Sequence, residues 1–215
     1  MPLICLVRHG QASATAGTYD VLSGLGRAQA SAVGQELARR GLRDPHLVAG
    51  TLTRQRDTAR IAAEAAGFQG PVHEDARWNE YDHIALLGRY VPPRTEGRSV
   101  QDLLDHALGE WMKDSCPAEG GSWTEFEEGA RVALGELAAA LGRGRDAVVF
   151  TSAGLVAALC GALLSLSGEG VVALNRVAVN ASITTLVVGG SGTTLLTFNE
   201  HGHFAGGGRQ MLTYR

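Results

Sequence analysis

Lysine and cysteine are both scarce in this chain. Lys113 is the only lysine, so all other basic side chains except histidine are arginines. Three cysteines occur among the 215 residues, at Cys5, Cys116 and Cys160, and two of them have apolar sequence neighbours. An odd number of cysteines in such surroundings is typical of free thiols in a reducing compartment. We therefore expect a cytoplasmic protein.

The chain also lacks a long hydrophobic run and an excess of one charge. The run nearest to membrane-spanning length, at 155–166, is too short to cross a bilayer. Acids and bases are interspersed and the net charge is −3, so we expect neither nucleic acid nor a membrane as a partner. A strand-like run begins almost at Met1, so we expect no signal peptide.

Helical and strand-like segments alternate along the chain. This alternation predicts an α/β fold, a single-domain three-layer α/β/α sandwich with a mostly parallel central sheet that spans residues 1–215. Segment 68–98 is rich in proline, arginine and histidine, and we expect it to be an irregular insertion that forms a lid over the strand ends. The main helices are expected at about 23–40, from 53, after 99, after 122 and at 155–166, and strands at 3–7, 46–49, 146–151, 182–188 and 193–198.

The first strand-like run leads directly into Arg8-His9-Gly10. In open α/β folds ligands bind at the carboxyl edge of the sheet, so this cation and imidazole would lie together at that edge. The guanidinium of Arg8 suits phosphate because it donates two parallel hydrogen bonds and stays charged. A neutral nitrogen of His9 is available near pH 7 as a nucleophile toward phosphorus. By itself the tripeptide also fits an ordinary surface pair at a strand end.

Three further segments favour a functional interpretation of the tripeptide. Segment 22–30 has the pattern L-S-x-x-G-x-x-Q-A, segment 50–59 has L-x-R-x-x-x-T-A around Arg54, and the polar segment 78–83 contains Glu80. In this order and spacing, these segments and the R-H-G tripeptide resemble the histidine phosphatase superfamily, also called phosphoglycerate mutase-like. The resemblance covers nearly the whole chain.

The resemblance implies a role for each matching residue. His9 is the expected nucleophile, which attacks phosphorus and forms a phosphohistidine that water then hydrolyses. Arg8 and Arg54 are expected to bind the phosphoryl oxygens, and free amides at the start of the helix that carries Arg54 would assist. Glu80 fits the general acid that protonates the leaving oxygen, with Asp82 as the alternative acid.

The chain departs from the family pattern at three positions. A second histidine follows a later strand in the family, but here that stretch reads Val148 to Gly154 with Ser152 in the place of the histidine. Gly50 stands where the second motif has a serine, and Gly121 stands where a G-E-S element has its glutamate. These departures leave the expected fold unchanged but indicate a weakened catalytic site.

Ser152 is open to three interpretations. It is a passive replacement that hydrogen-bonds a phosphate oxygen, or it marks a site that binds phosphate with almost no turnover. The third interpretation is a serine hydrolase, because 150–154 is one glycine short of G-x-S-x-G. The acid and base would then be Glu169 or Glu200 with His201 or His203, but this leaves the arginine and histidine motifs unused. His83, His201 and His203 are also candidates to replace the missing imidazole.

The expected activity is hydrolysis of a small phosphorylated substrate, a phosphomonoester, with a pseudoenzyme that binds a phosphorylated ligand as the alternative. Hydrolysis is preferred over mutase transfer, because no segment indicates a site that would retain and reorient a product. The histidines lack metal-ligand spacing and no dinucleotide fingerprint is present, so we expect no metal and no cofactor. A homodimer would be common for the family.

Overall fold

The structure is a computed structural model of the chain, and it describes residues 1–13, 20–91, 97–114, 121–142, 144–205 and 209–214. The described residues contain six strands, seven α-helices and three short 3₁₀ helices. The strands are β1 (Leu3–Arg8), β2 (His46–Ala49), β3 (Val72–Glu74), β4 (Ala147–Thr151), β5 (Ile183–Gly189) and β6 (Gly192–Glu200). The helices are α1 (Gly24–Arg39), α2 (Thr53–Ala66), α3 (His83–Tyr90), α4 (Val100–Lys113), α5 (Trp123–Leu141), α6 (Ala153–Leu164) and α7 (Gly168–Val177). The 3₁₀ helices are Ala76–Trp78, Gly202–Phe204 and Arg209–Met211.

The strands form one sheet in the order β3-β2-β4-β1-β5-β6. The pairs β1–β4, β2–β4 and β2–β3 are parallel, whereas β5 runs antiparallel to both β1 and β6. This mostly parallel sheet confirms the predicted fold class. The parallel strands β1, β2 and β4 therefore end at one edge, where Arg8 of β1 is the register partner of Thr151 of β4.

The two faces of the sheet each support a helical layer. In the central strands alternate residues belong to different core clusters, as the twofold period of a strand requires. Ile4 and Leu6 pack in the cluster that includes α5 and α6, while Cys5 and Val7 pack in the cluster that includes α1 and α2. Because both faces are covered, the central strands β1 and β4 are apolar up to their last residues, Arg8 and Thr151, with no polar alternation.

The helix ends follow the expected local chemistry. The hydroxyl of Ser122 accepts from the amide of Glu125, and the Glu125 carboxylate accepts from the amide of Ser122, so a capping box opens α5. Ser99 caps α4, because its hydroxyl accepts from the amide of Asp102. A glycine-rich hairpin joins β5, which ends at Gly189, to β6, which begins at Gly192.

Segment 68–98 is more regular than we expect from its sequence. It contributes β3, the 3₁₀ helix Ala76–Trp78 and α3, so the prediction of an irregular insertion is wrong for these parts. Strand β3 is short because Val72 is its one apolar residue, and only its pairing with β2 reveals it. Residues 92–96 lie outside the described residues, and the lid role of this segment stays a prediction.

Cys5 and Cys160 are buried and not in disulfides. Burial raises the pKa of the Cys5 thiol to about 11 and that of Cys160 to about 12, so both stay protonated near neutral pH. Cys116 lies outside the described residues. In the described part of the chain, none of the helices combines the length and apolar character needed to cross a membrane.

Asp146 ties the start of β1 to the loop before β2, and it generates a stability prediction. Its side chain is 2% exposed, and its two oxygens accept from the backbone amides of Leu3 (2.8 Å) and Arg43 (2.7 Å) and from the Arg43 guanidinium. Burial acts to raise the pKa of Asp146, but the Arg43 and Leu3 hydrogen bonds outweigh it and hold the pKa below its ordinary value. In Asp146→Asn the amide NH₂ meets an N–H donor, so we expect a loss of about 1–3 kcal/mol at pH 7.

Denaturant unfolding at pH 7 and at acid pH tests this expectation. Because the folded-state pKa of Asp146 is depressed, its contribution is full above the unfolded pKa of about 3.9 and is lost as the pH falls through the folded value. The difference between wild type and Asp146→Asn should therefore shrink in acid. Asp44→Asn is the matched control, since the Asp44 side chain is 76% exposed and pairs with Arg145 at the surface. Equal stability of wild type and Asp146→Asn at pH 7 would contradict the prediction.

Candidate functional site

Four of the five predicted site residues meet at the carboxyl edge of the sheet. Arg8 is the last residue of β1 and His9 follows it, Arg54 lies in the first turn of α2, and Glu80 follows the 3₁₀ helix that succeeds β3. All four side chains line one cavity of about 300 Å³. The fifth predicted residue, Ser152, does not line the cavity, although Ala153, the next residue in the sequence, does.

His9 is held in one tautomer by its two hydrogen bonds. The ring Nδ1 lies 2.7 Å from the carbonyl oxygen of Gly10, and the guanidinium Nε of Arg54 donates to Nε2 at 3.1 Å. A carbonyl oxygen accepts only, and Nε2 receives a hydrogen, so the proton of the neutral ring is on Nδ1. The lone pair of Nε2 therefore faces Arg54 and the cavity.

The surroundings of His9 keep its imidazole uncharged. The side chain is 5% exposed, and the pKa lies well below its usual value because of burial first and the charges of Arg54 and Arg8 second. The hydrogen bond to Gly10 acts in the opposite direction but is the smaller effect. A nucleophilic nitrogen is therefore present at neutral pH without prior loss of a proton.

Arg54 connects His9 to an acidic residue that sequence reasoning missed. Its Nη1 donates to Oδ1 of Asp20 at 2.7 Å, and the amide of Thr53 donates to Oδ2 of Asp20 at 2.8 Å. The Asp20 carboxylate thus lies at the N-terminus of α2, the position where a helix favours an anion. Partial burial acts to raise the pKa of Asp20, but the bonds from Thr53 and Arg54 outweigh it and lower the pKa.

Arg8 is anchored by backbone oxygens from distant parts of the chain. Its Nη1 donates to the carbonyl oxygens of Ala178 and, at 3.0 Å, of Tyr214. The side chain is 8% exposed and lines the cavity. Two guanidinium groups, those of Arg8 and Arg54, therefore lie buried on one cavity wall, where an anion would be stabilised strongly.

Glu80 approaches the start of α6 closely. Its Oε2 accepts from the amide of Gly154 at 3.1 Å, and its Oε1 accepts from the amide of Tyr81 at 3.3 Å. A Cβ atom on Gly154 would lie 2.3 Å from Oε1 of Glu80 and 2.2 Å from the Tyr81 ring, so only glycine permits this approach. Burial raises the pKa of Glu80 despite these bonds and the charges of Arg54 and Arg8. Such a carboxyl holds a proton to higher pH than an exposed one.

The cavity also has an apolar part. Ile84 and Val100 line it, are 69% and 57% exposed, and form an apolar rim. The other lining residues belong to α3, α4, α6, α7, the segment before α3 and the C-terminal segment, and they are Tyr81, His83, Leu87, Gln101, Leu104, Ala153, Asn175 and Tyr214.

Ser152 is buried beneath the cavity and not in its wall. It has no exposed surface, and its Oγ accepts from the amide Nε2 of Gln55 at 2.8 Å. It precedes α6 as the N-cap residue, but its side chain makes no capping hydrogen bond. Its placement in the phosphate site stays a prediction, and this burial weighs against a serine nucleophile that substrate must reach.

The other candidate residues have separate roles in the described structure. Asp82 caps α3 by accepting from the amides of Ile84 and Ala85. His201 and His203 contact backbone oxygens of Asn199 and Ala181 and do not line the cavity, whereas His83 does. Sequence motifs did not reveal Asp20, Gln55, Asn175 or Tyr214, because only the tertiary fold brings them to the site.

The comparisons with known proteins identify a family for this fold. Residues 4–201 match the family described as Histidine phosphatase superfamily (branch 1). The chain is similar to a mycobacterial glucosyl-3-phosphoglycerate phosphatase solved with VO3, with 29% identity, a TM-score of 0.68, and coverage of 94% of this chain and 100% of that one. It is also similar to a structure named mycobacterial hydrolase 1, with 29% identity, a TM-score of 0.67, and coverage of 93% and 98%.

A more distant structure shares the fold. It is a variant of phosphoserine phosphatase from Entamoeba histolytica in complex with phosphoserine, at 19% identity and a TM-score of 0.68, with coverage of 94% of this chain and 99% of that one. The comparison with curated proteins found no match.

The pair of buried guanidiniums generates a binding prediction. Phosphate or vanadate should raise the melting temperature of the wild type, and Arg54→Ala should remove that shift. The physical reason is the loss of charge-assisted hydrogen bonds worth about 1.5–3 kcal/mol each. Thermal unfolding with and without the anion measures the effect.

Arg56→Ala is the matched control for this measurement. Arg56 lies two residues further along the same helix, but its side chain is 48% exposed and pairs with Glu74 at 3.5 Å. This variant should keep the full anion-induced shift. An equal shift in wild type and Arg54→Ala would mean that the anion binds elsewhere.

Proposed function

The chain belongs to the histidine phosphatase superfamily, and on this premise we propose that it hydrolyses small phosphomonoesters through a phosphohistidine on His9. The observation that carries the proposal is the position of His9, whose Nε2 accepts a hydrogen bond from Arg54 in a cavity that Arg8 and Arg54 also line. These groups supply a nucleophile and a site for a dianion in one place. Glu80, on the same cavity, supplies a proton.

Substrate binding would start with an exchange of hydrogen bonds. In the structure Arg54 donates its Nε hydrogen to Nε2 of His9, which occupies the lone pair needed for attack. A phosphoryl dianion is a stronger acceptor than a neutral imidazole, so the guanidinium would turn toward the phosphoryl oxygens. This exchange releases the lone pair of His9 only when substrate is bound.

Phosphoryl transfer would then proceed in line. The bond from Nε2 of His9 to phosphorus forms while the bond from phosphorus to the alcohol oxygen breaks. Glu80 gives its proton to that oxygen, and the alcohol leaves. The ring now carries positive charge, which the Nδ1 hydrogen bond to the carbonyl of Gly10 stabilises.

Water would complete the cycle from the side that the alcohol has left. The carboxylate of Glu80 takes a proton from water as its oxygen bonds to phosphorus, and the bond from phosphorus to His9 breaks. Glu80 is then protonated again and inorganic phosphate departs. A raised pKa lets one carboxyl act first as acid and then as base near neutral pH.

We propose further that this turnover is slow. Ser152 stands at the position where the resemblance has a second histidine, and a buried hydroxyl carries no charge. Loss of one preorganised donor to a transition state lowers the rate by about 10²–10³-fold. The second candidate is a phosphate-binding pseudoenzyme, and Ser152 is the observation that favours it. As a slow phosphatase or as a pseudoenzyme, the protein would act in the cytoplasm, in keeping with the free buried thiols.

The cavity supports a substrate whose alcohol part is uncharged. Apart from Arg8 and Arg54, the described residues that line it include no arginine or lysine. The solved relatives include phosphatases named for glucosyl-3-phosphoglycerate and phosphoserine, which are substrates with a carboxylate. In this chain the described lining instead includes an apolar rim formed by Ile84 and Val100. We therefore propose a monophosphate ester of a small, partly apolar alcohol.

The role of His9 is tested by its removal. His9→Ala should abolish phosphatase activity on p-nitrophenyl phosphate, because no nucleophile remains, and should leave the fold intact because His9 follows a strand end. His73→Ala is the control, since His73 is an exposed residue of the edge strand β3. Labelled phosphate trapped on the wild type should be released by acid, as phosphohistidine is acid-labile.

Two results would reject this mechanism. The first is full phosphatase activity of His9→Ala. The second is label that survives acid, which would indicate a serine or aspartate phosphoenzyme. Absence of activity in the wild type, together with an anion-induced thermal shift, would favour the pseudoenzyme.

The apolar rim generates a specificity prediction. Ile84→Arg should raise kcat/KM for a phosphomonoester with a carboxylate, such as phosphoserine, by up to about fivefold, the size of one exposed ion pair. It should lower kcat/KM for phenyl phosphate, because apolar contact is lost. Val132→Arg is the control, since Val132 is an exposed apolar residue of α5 that does not line this cavity. If the ratio of the two kcat/KM values is unchanged in Ile84→Arg, Ile84 does not contact the substrate.

A further inference from the structure

Gln55 is a buried side chain that the proposed mechanism does not use. It lies in the first turn of α2, next to Arg54, and has no exposed surface. Its amide Nε2 donates to Oγ of Ser152 at 2.8 Å and to the carbonyl of Trp78 at 3.1 Å. Its Oε1 accepts from the amide of Leu52 at 3.4 Å. One amide group therefore joins the starts of α2 and α6 to the segment that leads to Glu80.

Two hydrogen bonds to the Trp78 carbonyl anchor that segment. The carbonyl accepts from Gln55 and also from the hydroxyl of Thr151, at 2.7 Å. Glu80 follows two residues later, and its carboxylate accepts from the amide of Gly154. The Glu80 carboxylate is thus held between the Trp78 carbonyl behind it and α6 in front of it. Loss of the Gln55 amide removes one of the two hydrogen-bond donors to the Trp78 carbonyl.

Residue 50 has to be glycine for Gln55 to lie where it does. A Cβ atom on Gly50 would be 2.0 Å from Oε1 of Gln55 and 2.6 Å from Oδ1 of Asn79. Real contacts of this kind do not occur, so any side chain at position 50 displaces the amide of Gln55. The amide also reaches Ser152 only because that side chain is short, since an imidazole directed the same way would occupy the space of the amide.

We propose that Gln55 is a positioning residue for Glu80, and that Gly50 and Ser152 are the substitutions that make room for it. The inference rests on the proposed function, because Glu80 is the general acid of that mechanism. The amide of Gln55 would then support Glu80 from outside the cavity, at the position where the family resemblance has a second imidazole. Gln55 does not line the cavity, so it would act through Glu80 and not on the substrate.

The first test compares leaving groups. A phosphate ester of an aliphatic alcohol needs a proton on the leaving oxygen, whereas p-nitrophenolate leaves without one. Gln55→Ala should therefore lower kcat/KM for an alkyl phosphate about tenfold more than kcat/KM for p-nitrophenyl phosphate, as one lost positioning bond allows. A Glu80→Gln variant should show the same selectivity with a larger ratio.

Gln29→Ala is the matched control. Gln29 is also a fully buried glutamine, and its Nε2 donates to the carbonyl of Met211 and to Thr213, both at 2.8 Å. It ties α1 to the C-terminal segment and does not contact the segment that leads to Glu80. Its loss should lower stability and lower kcat/KM for the two substrates in equal proportion.

The second test does not depend on turnover. Gly154 is the second residue of α6, so its amide has no partner within the helix, and its described partner is Glu80. Hydrogen exchange of the Gly154 amide, measured by NMR, therefore reports how firmly Glu80 is held. Gln55→Ala should accelerate this exchange about tenfold, whereas Gln29→Ala should leave it as in the wild type.

Gly50→Ala tests the link between the substitutions. It should reproduce the leaving-group selectivity and the faster Gly154 exchange of Gln55→Ala, because the new Cβ displaces the amide. In the Gln55→Ala background its effect should be much smaller, with only the contact to Asn79 remaining. Full additivity of the two changes would overturn the coupling.

The outcomes separate this inference from the proposed function. If Gln55→Ala affects both substrates equally and leaves Gly154 exchange unchanged, Gln55 is a structural residue and the inference is wrong. If the wild type hydrolyses neither substrate, the proposed function fails, and the exchange measurement alone decides the inference. Faster Gly154 exchange in Gln55→Ala then supports it, and unchanged exchange overturns it.

Discussion

Two buried guanidiniums beside a neutral imidazole are the constraint on which the rest of the site depends. Arg8 and Arg54 are 8% and 6% exposed, and both push the pKa of His9 down. Buried cations require partners, and here backbone carbonyls and the carboxylate of Asp20 supply them. A phosphate dianion would be a better partner than any of these. The same charges that keep His9 unprotonated therefore draw in the group that it is proposed to attack.

Glu80 shows how the site balances opposing effects on one carboxyl. The two arginines and the amides of Gly154 and Tyr81 all favour its ionised form, yet burial outweighs them and the pKa is raised. Burial is the largest of these effects, so the raised pKa depends on the exclusion of Glu80 from water. In the proposed mechanism Glu80 is the general acid, and its protonation would therefore depend on how closely its carboxyl is packed against α6.

Much of the fold and part of the site can be predicted from the sequence, for a physical reason. Central strands covered on both faces are continuous apolar runs, and capping residues mark the helix ends, so these elements are encoded locally. Strand β3 is not, because it has one apolar residue and depends on its pairing with β2. Likewise the R-H-G tripeptide shows that His9 is at a strand end, but Asp20 and Gln55 join the site only through tertiary contacts.

The departures at Ser152 and Gly50 therefore have to be considered with the residues around them. By the family resemblance alone, Ser152 stands in the place of an imidazole and Gly50 in the place of a hydroxyl, and both would indicate a weakened site. In the structure the space at Gly50 is filled by the Gln55 amide, which donates to Ser152. The buried polar atoms of Gln55 and Ser152 are thus hydrogen-bonded to each other. In our proposal this uncharged amide–hydroxyl pair takes the place of a group able to carry charge, so ground-state contacts would persist while transition-state stabilisation would fall.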